Sequence, residues 1–170
     1  YPDPSLIFEK YGADAMRYYL LSSPVMLAEN LNFSEKGVSD ILRNVNMILW
    51  NVYNFYAMYA DELKVENLKV ESDNVLDKWI LARLNQLIGE VTEGMDKYNL
   101  PKATRPISEF IDDLSTWYLR RSRDRFKGDD AKDKEAAIAT TGFVLLQLSK
   151  VIAPFMPFLA ERLWQKVTGN

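Results

Sequence analysis

The sequence predicts an all-α protein, an antiparallel helical bundle of four or five packed helices preceded by a short helical segment, and three observations carry that expectation. Apolar residues recur at three- and four-residue spacing through most of the chain. No stretch sustains the apolar–polar alternation of a half-buried strand. Seven Gly and seven Pro in 170 residues leave little punctuation, and most of them separate the periodic stretches.

Each element follows from a local signal. Asp3 can cap a short helix that begins at Pro4 and is closed by Gly12, and Ala13 to Ser22 makes a second, ended by Ser23-Pro24. Ser34 can cap a long helix reaching about Ala60, whose seam is Val38, Ile41/Leu42, Val45, Ile48/Leu49, Val52, Phe55/Tyr56 and Tyr59. Residues 62–73 are charged and non-periodic, which suits a surface connection and leaves a weak strand open. From about Val75 to Lys97, Leu76, Ile80, Leu84, Leu87, Val91 and Met95 form one face, and Asn99-Leu100-Pro101 breaks the helix. The next helix runs from about Lys102 to Phe126, its start blurred by Pro106, with Ile107, Phe110/Ile111, Leu114 and Trp117/Tyr118 inward. A turn over Lys127 to Asp133 leads to a helix over about Lys134 to Ala153 that is apolar on most sides, with Phe143, Leu146 and Ile152 expected in the core. Pro154 and Pro157 end it, and Pro157 starts a last helix through about Val167, closed by Gly169.

Composition excludes much chemistry. With no Cys and no His, the chain has no thiolate or imidazole metal site, no disulfide, and no cysteine nucleophile or histidine base. A formal charge of -3 argues against a uniformly basic coat, so any nucleic-acid site must come from local clustering. No uncharged apolar run approaches a bilayer span. The chain opens on Tyr1-Pro2-Asp3-Pro4 without Met, which reads as a piece of a longer protein.

Two constellations stand out. Arg120-Arg121-Ser122-Arg123-Asp124-Arg125-Phe126-Lys127 packs four arginines into six positions. Guanidinium forks match phosphate oxygens, and Ser122 and Phe126 could add a hydrogen bond and a stacking surface. The alternative is a solvated helix end, with Arg120 held by Asp124 or by the bundle. On the long helix, opposite its seam, Arg43, Met47, Trp50, Asn54 and Met58 align at spacings of four, three, four and four, with Asn51 adjacent. Unpaired bases stack on aromatic planes and Asn amides read base edges; the alternative is a helix sandwiched between neighbours. The adjacent carboxylates Asp112/Asp113 and Asp129/Asp130 point about 100° apart and suit surface charge better than acid–base work. No glycine loop of the phosphate-cradling type occurs.

The strings Tyr11-Gly12-Ala13-Asp14-Ala15-Met16-Arg17-Tyr18-Tyr19-Leu20, Asn32-Phe33-Ser34, Leu49-Trp50-Asn51-Val52-Tyr53-Asn54-Phe55, Leu114 to Phe126 and Ala153-Pro154-Phe155-Met156-Pro157-Phe158 together resemble the region that follows the catalytic domain of class I isoleucyl-tRNA synthetases. The first and last strings are shared with valyl and leucyl relatives, while the Trp50–Phe55 and Trp117–Phe126 strings favour the isoleucyl branch. The resemblance implies a helical connecting segment over 1–31 and an anticodon-binding domain over 32–170. It implies contacts to the anticodon stem-loop of tRNA(Ile) from Arg43, Trp50, Asn51, Asn54, Arg121, Arg123, Arg125 and Phe126, with no catalytic residue and no metal ligand. The family's ATP-binding signatures, editing domain and zinc-binding extension are absent from the sequence, so ATP and Mg would belong to a catalytic domain of the same polypeptide. A monomeric, cytoplasmic, non-membrane protein is implied. The same module from a valyl or leucyl relative, or a helical protein-interaction bundle indifferent to RNA, is the alternative reading.

Overall fold

In a computed structural model that describes residues 3–60 and 70–169, the chain is all-α, with no strand among the described residues. Helix α1 is Pro4–Tyr11, capped by Asp3 and closed by Gly12 at φ 82°, and α2 is Ala13–Leu21. After a 3-10 turn over Pro24–Leu27 comes α3, a continuous helix made of Glu35–Ile41, a π segment over Leu42–Asn46 and Met47–Ala60, with the Ser34 hydroxyl capping Gly37. Helix α4 is Val75–Asp96, capped by Asn74. Helix α5 joins Leu100–Asp112, a π segment over Asp113–Leu119 and Arg120–Lys127. Helices α6, Ala131–Ile152, and α7, Pro157–Thr168, complete the order. The connection expected over 62–73 lies outside the described residues up to Lys69, and residues 70–74 carry no regular structure.

The amphipathic stripes dictate the packing. Leu49, Val52 and Tyr56 of α3, Ile80, Leu84 and Leu87 of α4, Ile107, Phe110 and Leu114 of α5, and Val144, Leu145 and Leu148 of α6 converge on one core. Helices α4 and α5 pack extensively against each other, and Gly94 permits their close approach: a Cβ there would come within 2.8 Å of the Ala103 backbone. Helix α6 is buried along much of its length, and its length and composition would also suit a membrane span, but more than half of that stretch is enclosed by neighbouring helices.

Four expectations need correction. Helix α5 starts at Leu100, and Pro106 lies buried inside it, where side-chain donors from Tyr18 to the Thr104 carbonyl and from Thr104 to the Leu100 carbonyl serve the same stretch. Helix α6 starts at Ala131, because the Asp130 carboxylate accepts from the Lys132 and Asp133 N–H groups. Phe143 and Leu146 are half-buried at the margin of the core; Val144, Leu145 and Ile152 are its inner residues. Trp117, expected inward, is 48% exposed, having been placed in the π segment of α5 where the helical register slips.

The N-terminal segment is tied to the bundle by charge. The buried Asp14 carboxylate accepts from the Leu159 N–H at 2.7 Å and lies 3.5 Å from that of Phe158, so it caps α7 from a distance, where Met156 offers no side-chain cap. Arg17 donates to the Pro154 carbonyl at 3.0 Å. The Gly-Ala-Asp-Ala-x-Arg and Ala-Pro-Phe-x-Pro-Phe strings are thus two halves of one contact. Burial raises the pKa of Asp14 despite these bonds.

Candidate nucleic-acid interface

The arginine run forms the last two turns of α5, directly after its π segment. At about 100° per residue Arg121 and Arg125 leave the helix on one face and Arg120 and Arg123 on another, so what separates Arg125 from Arg121 is the side chain's partners and not its register. Arg125 turns inward. Its Nη1 and Nη2 donate to the two carboxylate oxygens of Asp77 at 2.7 and 2.8 Å, and its Nε and Nη2 donate to Asp133 at 2.9 and 2.8 Å. Asp77, in the first turn of α4, is 0% exposed, and the hydroxyls of Tyr118 and Ser72 donate to it as well. Burial opposes the guanidinium charge, but the bonds to both carboxylates outweigh it and raise the Arg125 pKa. In return Arg125 holds the Asp133 carboxyl below its ordinary value, and burial, reinforced by Asp77, pushes the Tyr118 phenol up.

This geometry removes two residues from the expected RNA surface. Arg125, with a side chain 10% exposed, locks α4, α5 and α6 together instead of meeting a phosphate. Phe126 is fully buried, its ring 5.0 Å from that of Phe55 and 5.4 Å from that of Tyr59, so neither face is open to a base. Ser122 is buried as well.

Arg120, Arg121 and Arg123 turn outward, and among the described residues none has a carboxylate within ion-pair distance. The expected pairing of Arg120 with Asp124 does not form. Arg121 lies 3.8 Å from the centre of the Trp117 ring, on the α4 side, and Arg123 lies 5.8 Å from the centre of the Phe55 ring, on the α3 side. Arg123 therefore reaches the seam residue Phe55, at the margin of the second constellation.

On α3, Met47 and Met58 are 50% and 65% exposed, and Asn51 and Asn54 are exposed between them. Helical spacing puts these four on one face, with Phe55 and Arg123 along one margin and Trp50 along the other. Trp50 is half-buried, its ring 4.9 Å from that of Tyr53. The sandwiched helix is not what forms: this face is open. Arg43, in the π segment of α3, is exposed and donates to Asp40 at 2.7 Å.

A polar groove of about 530 Å³ on the other side of the lock sets a boundary. Glu71, Asp73, Asp130 and Asp133 line it with Lys132, a balance that repels phosphate. Of the carboxylate pairs, Asp113 is bonded to Arg83 and Asp130 caps α6, while Asp112 and Asp129 are surface charge. Among the described residues no group of three or more metal-ligating side chains converges.

Sequence reasoning missed Asp77, Asp133 and Trp117. Asp77 was findable, since it continues the inward stripe of Ile80, Leu84 and Leu87 at helical spacing, and a carboxylate on an apolar stripe demands a partner.

Residues 77–170 match the family described as the anticodon-binding domain of tRNA ligase. The chain belongs to that family. Over its whole length it is 45% identical to an isoleucine–tRNA ligase of Chlamydia trachomatis, of which it covers 17%, and over 98% of its length it is 41% identical to one from Protochlamydia amoebophila, of which it covers 16%. The chain thus spans about a sixth of these relatives. A solved LeuRS–tRNA–LeuAMS complex from Agrobacterium radiobacter shares the fold over 99% of this chain and 19% of its own, with a TM-score of 0.71 at 21% identity.

Proposed function

We propose that this anticodon-binding domain recognises the anticodon arm of tRNA(Ile) and so positions the tRNA for a catalytic domain of the same polypeptide, an ATP- and Mg-dependent isoleucine–tRNA ligase. The observation that carries the proposal is the contact of Arg123 with Phe55, which joins two constellations some 70 residues apart in sequence into one surface. Its arginine side supplies sequence-blind attraction to phosphate. Its Asn51–Asn54 side offers paired donors and acceptors that distinguish base edges, with Trp50 available to stack and Arg43 placed for the supporting phosphates. Residues 1–31 act as the connecting segment, fixed to the bundle through Asp14 and Arg17. Activation of isoleucine, with its ATP and Mg, is assigned to that catalytic domain. The module works as a cytoplasmic monomer.

The identity to isoleucine ligases favours tRNA(Ile) over the tRNA of valyl or leucyl relatives. Titrating the chain into a fluorescently labelled isoleucine anticodon stem-loop should give saturable, salt-dependent binding, weaker for a stem-loop carrying a valine anticodon. No binding at low salt would return the exposed Met47 and Met58 face to a protein-interaction role.

A further inference from the structure

Between α4 and α5, beside Arg121, the chain carries a second aromatic surface whose indoles the anticodon-arm reading does not use. Trp79 and Trp117 lie with ring centres 6.5 Å apart, tilted by 52°, and Arg121 rests on the Trp117 ring at 3.8 Å. One turn back along the same seam Arg83 donates to Asp113, which removes that carboxylate's charge from the neighbourhood of Arg121. Half of Trp117 is open to solvent.

We infer that Trp117, with Arg121 and Trp79, is a stacking site for an unpaired nucleobase of the bound RNA, the Arg121 guanidinium serving the adjoining phosphate. The inference rests on the anticodon-arm reading and adds a second point of attachment to it. Three observations carry it. First, the π segment Asp113–Leu119 turns Trp117 out of the bundle, and π segments are rare features that concentrate at functional sites. The other π segment, Leu42–Asn46, likewise stands just before the Trp50–Asn54 face. Second, a guanidinium placed over an indole ring carries N–H donors around its rim, so one residue can both meet the ring and bind a phosphate oxygen. Third, the charge selects the occupant. An apolar protein surface laid over Trp117 would bury Arg121, which among the described residues has no carboxylate within ion-pair distance, a costly arrangement, whereas a nucleotide brings the base for the indole and the anion for the cation.

The test is fluorescence anisotropy of the labelled isoleucine anticodon stem-loop with the wild-type chain, Trp117→Ala, Trp117→Phe and Arg121→Ala, with melting of each variant followed by circular dichroism. Trp117→Ala should bind roughly 5- to 150-fold more weakly. Trp117→Phe, which keeps a stacking ring, should recover most of that loss, and both should melt within a few degrees of wild type. Wild-type binding that Trp117→Ala matches would overturn this inference and leave the anticodon-arm reading standing. A wild-type chain that fails to bind the stem-loop would overturn both.

Discussion

Arg121 and Arg125 stand one helical turn apart, carry the same charge and belong to the same dense run, yet their surroundings are opposite. Across the helix from Arg125 lie Asp77 and Asp133, and four short hydrogen bonds enclose its guanidinium. Beside Arg121 lies a half-exposed indole, and among the described residues no carboxylate is within ion-pair distance. The difference lies in what the neighbouring helices present, not in the run itself. A cluster of like charges on a helix divides into a buried, paired side and an exposed side, and the dividing line is drawn by residues distant in sequence.

The largest expected effect comes from breaking the inner side. Removing one partner of a buried ion pair leaves the other charge desolvated, so Asp77→Ala or Arg125→Ala should cost about 3–5 kcal/mol in urea denaturation. Arg121→Ala, on the outer side, should stay within about 0.5 kcal/mol of wild type. Equal losses at the two arginines would erase the distinction.

Acid sharpens it. Arg125 depresses the folded-state pKa of Asp133 below its ordinary 3.8, so this carboxylate's contribution to stability is present above that value and is lost as pH falls through the depressed one. Asp133→Asn should flatten the acid limb of a melting-temperature profile. Asp14 works in the opposite sense: its raised pKa means that the stability it confers falls as pH rises through the folded value, so Asp14→Asn should lessen the decline on that side.

Much of this architecture was legible because helical periodicity and capping are local. Asp3, Ser34, Gly12 and Gly169 mark helix ends in sequence and in structure alike. The two π segments left no such trace, since apolar spacing of three or four tolerates one inserted residue without losing its stripe, and Trp117 was placed inward for that reason. Phe143 and Leu146 read as core residues in the sequence because α6 is apolar almost all round, which hides which flank faces the margin. On the candidate surface, residue types were readable and directions were not. Arg123 and Asn54 face outward as their spacing suggested, whereas Arg125 and Phe126 face inward because Asp77 on α4 and Phe55 on α3 wait there.

Smaller effects are expected on the α3 face. If Trp50 stacks a base, Trp50→Ala should weaken stem-loop binding by about 1–3 kcal/mol with little change in anticodon preference. Asn54→Ala or Asn51→Ala should narrow the preference for the isoleucine anticodon over the valine one while leaving stability unchanged. A purely thermal effect at Trp50, with preference untouched at both asparagines, would mean that this face packs rather than reads.

The most direct measurement is the salt dependence of stem-loop binding for Arg121→Ala/Arg123→Ala, beside the wild type and with both melting curves recorded. If the outer side binds phosphate, the double variant melts like the wild type, binds more weakly whatever the anticodon, and loses roughly 0.7 of log–log slope for each contact removed from single-stranded RNA. Wild-type affinity and slope in a folded double variant would contradict the account.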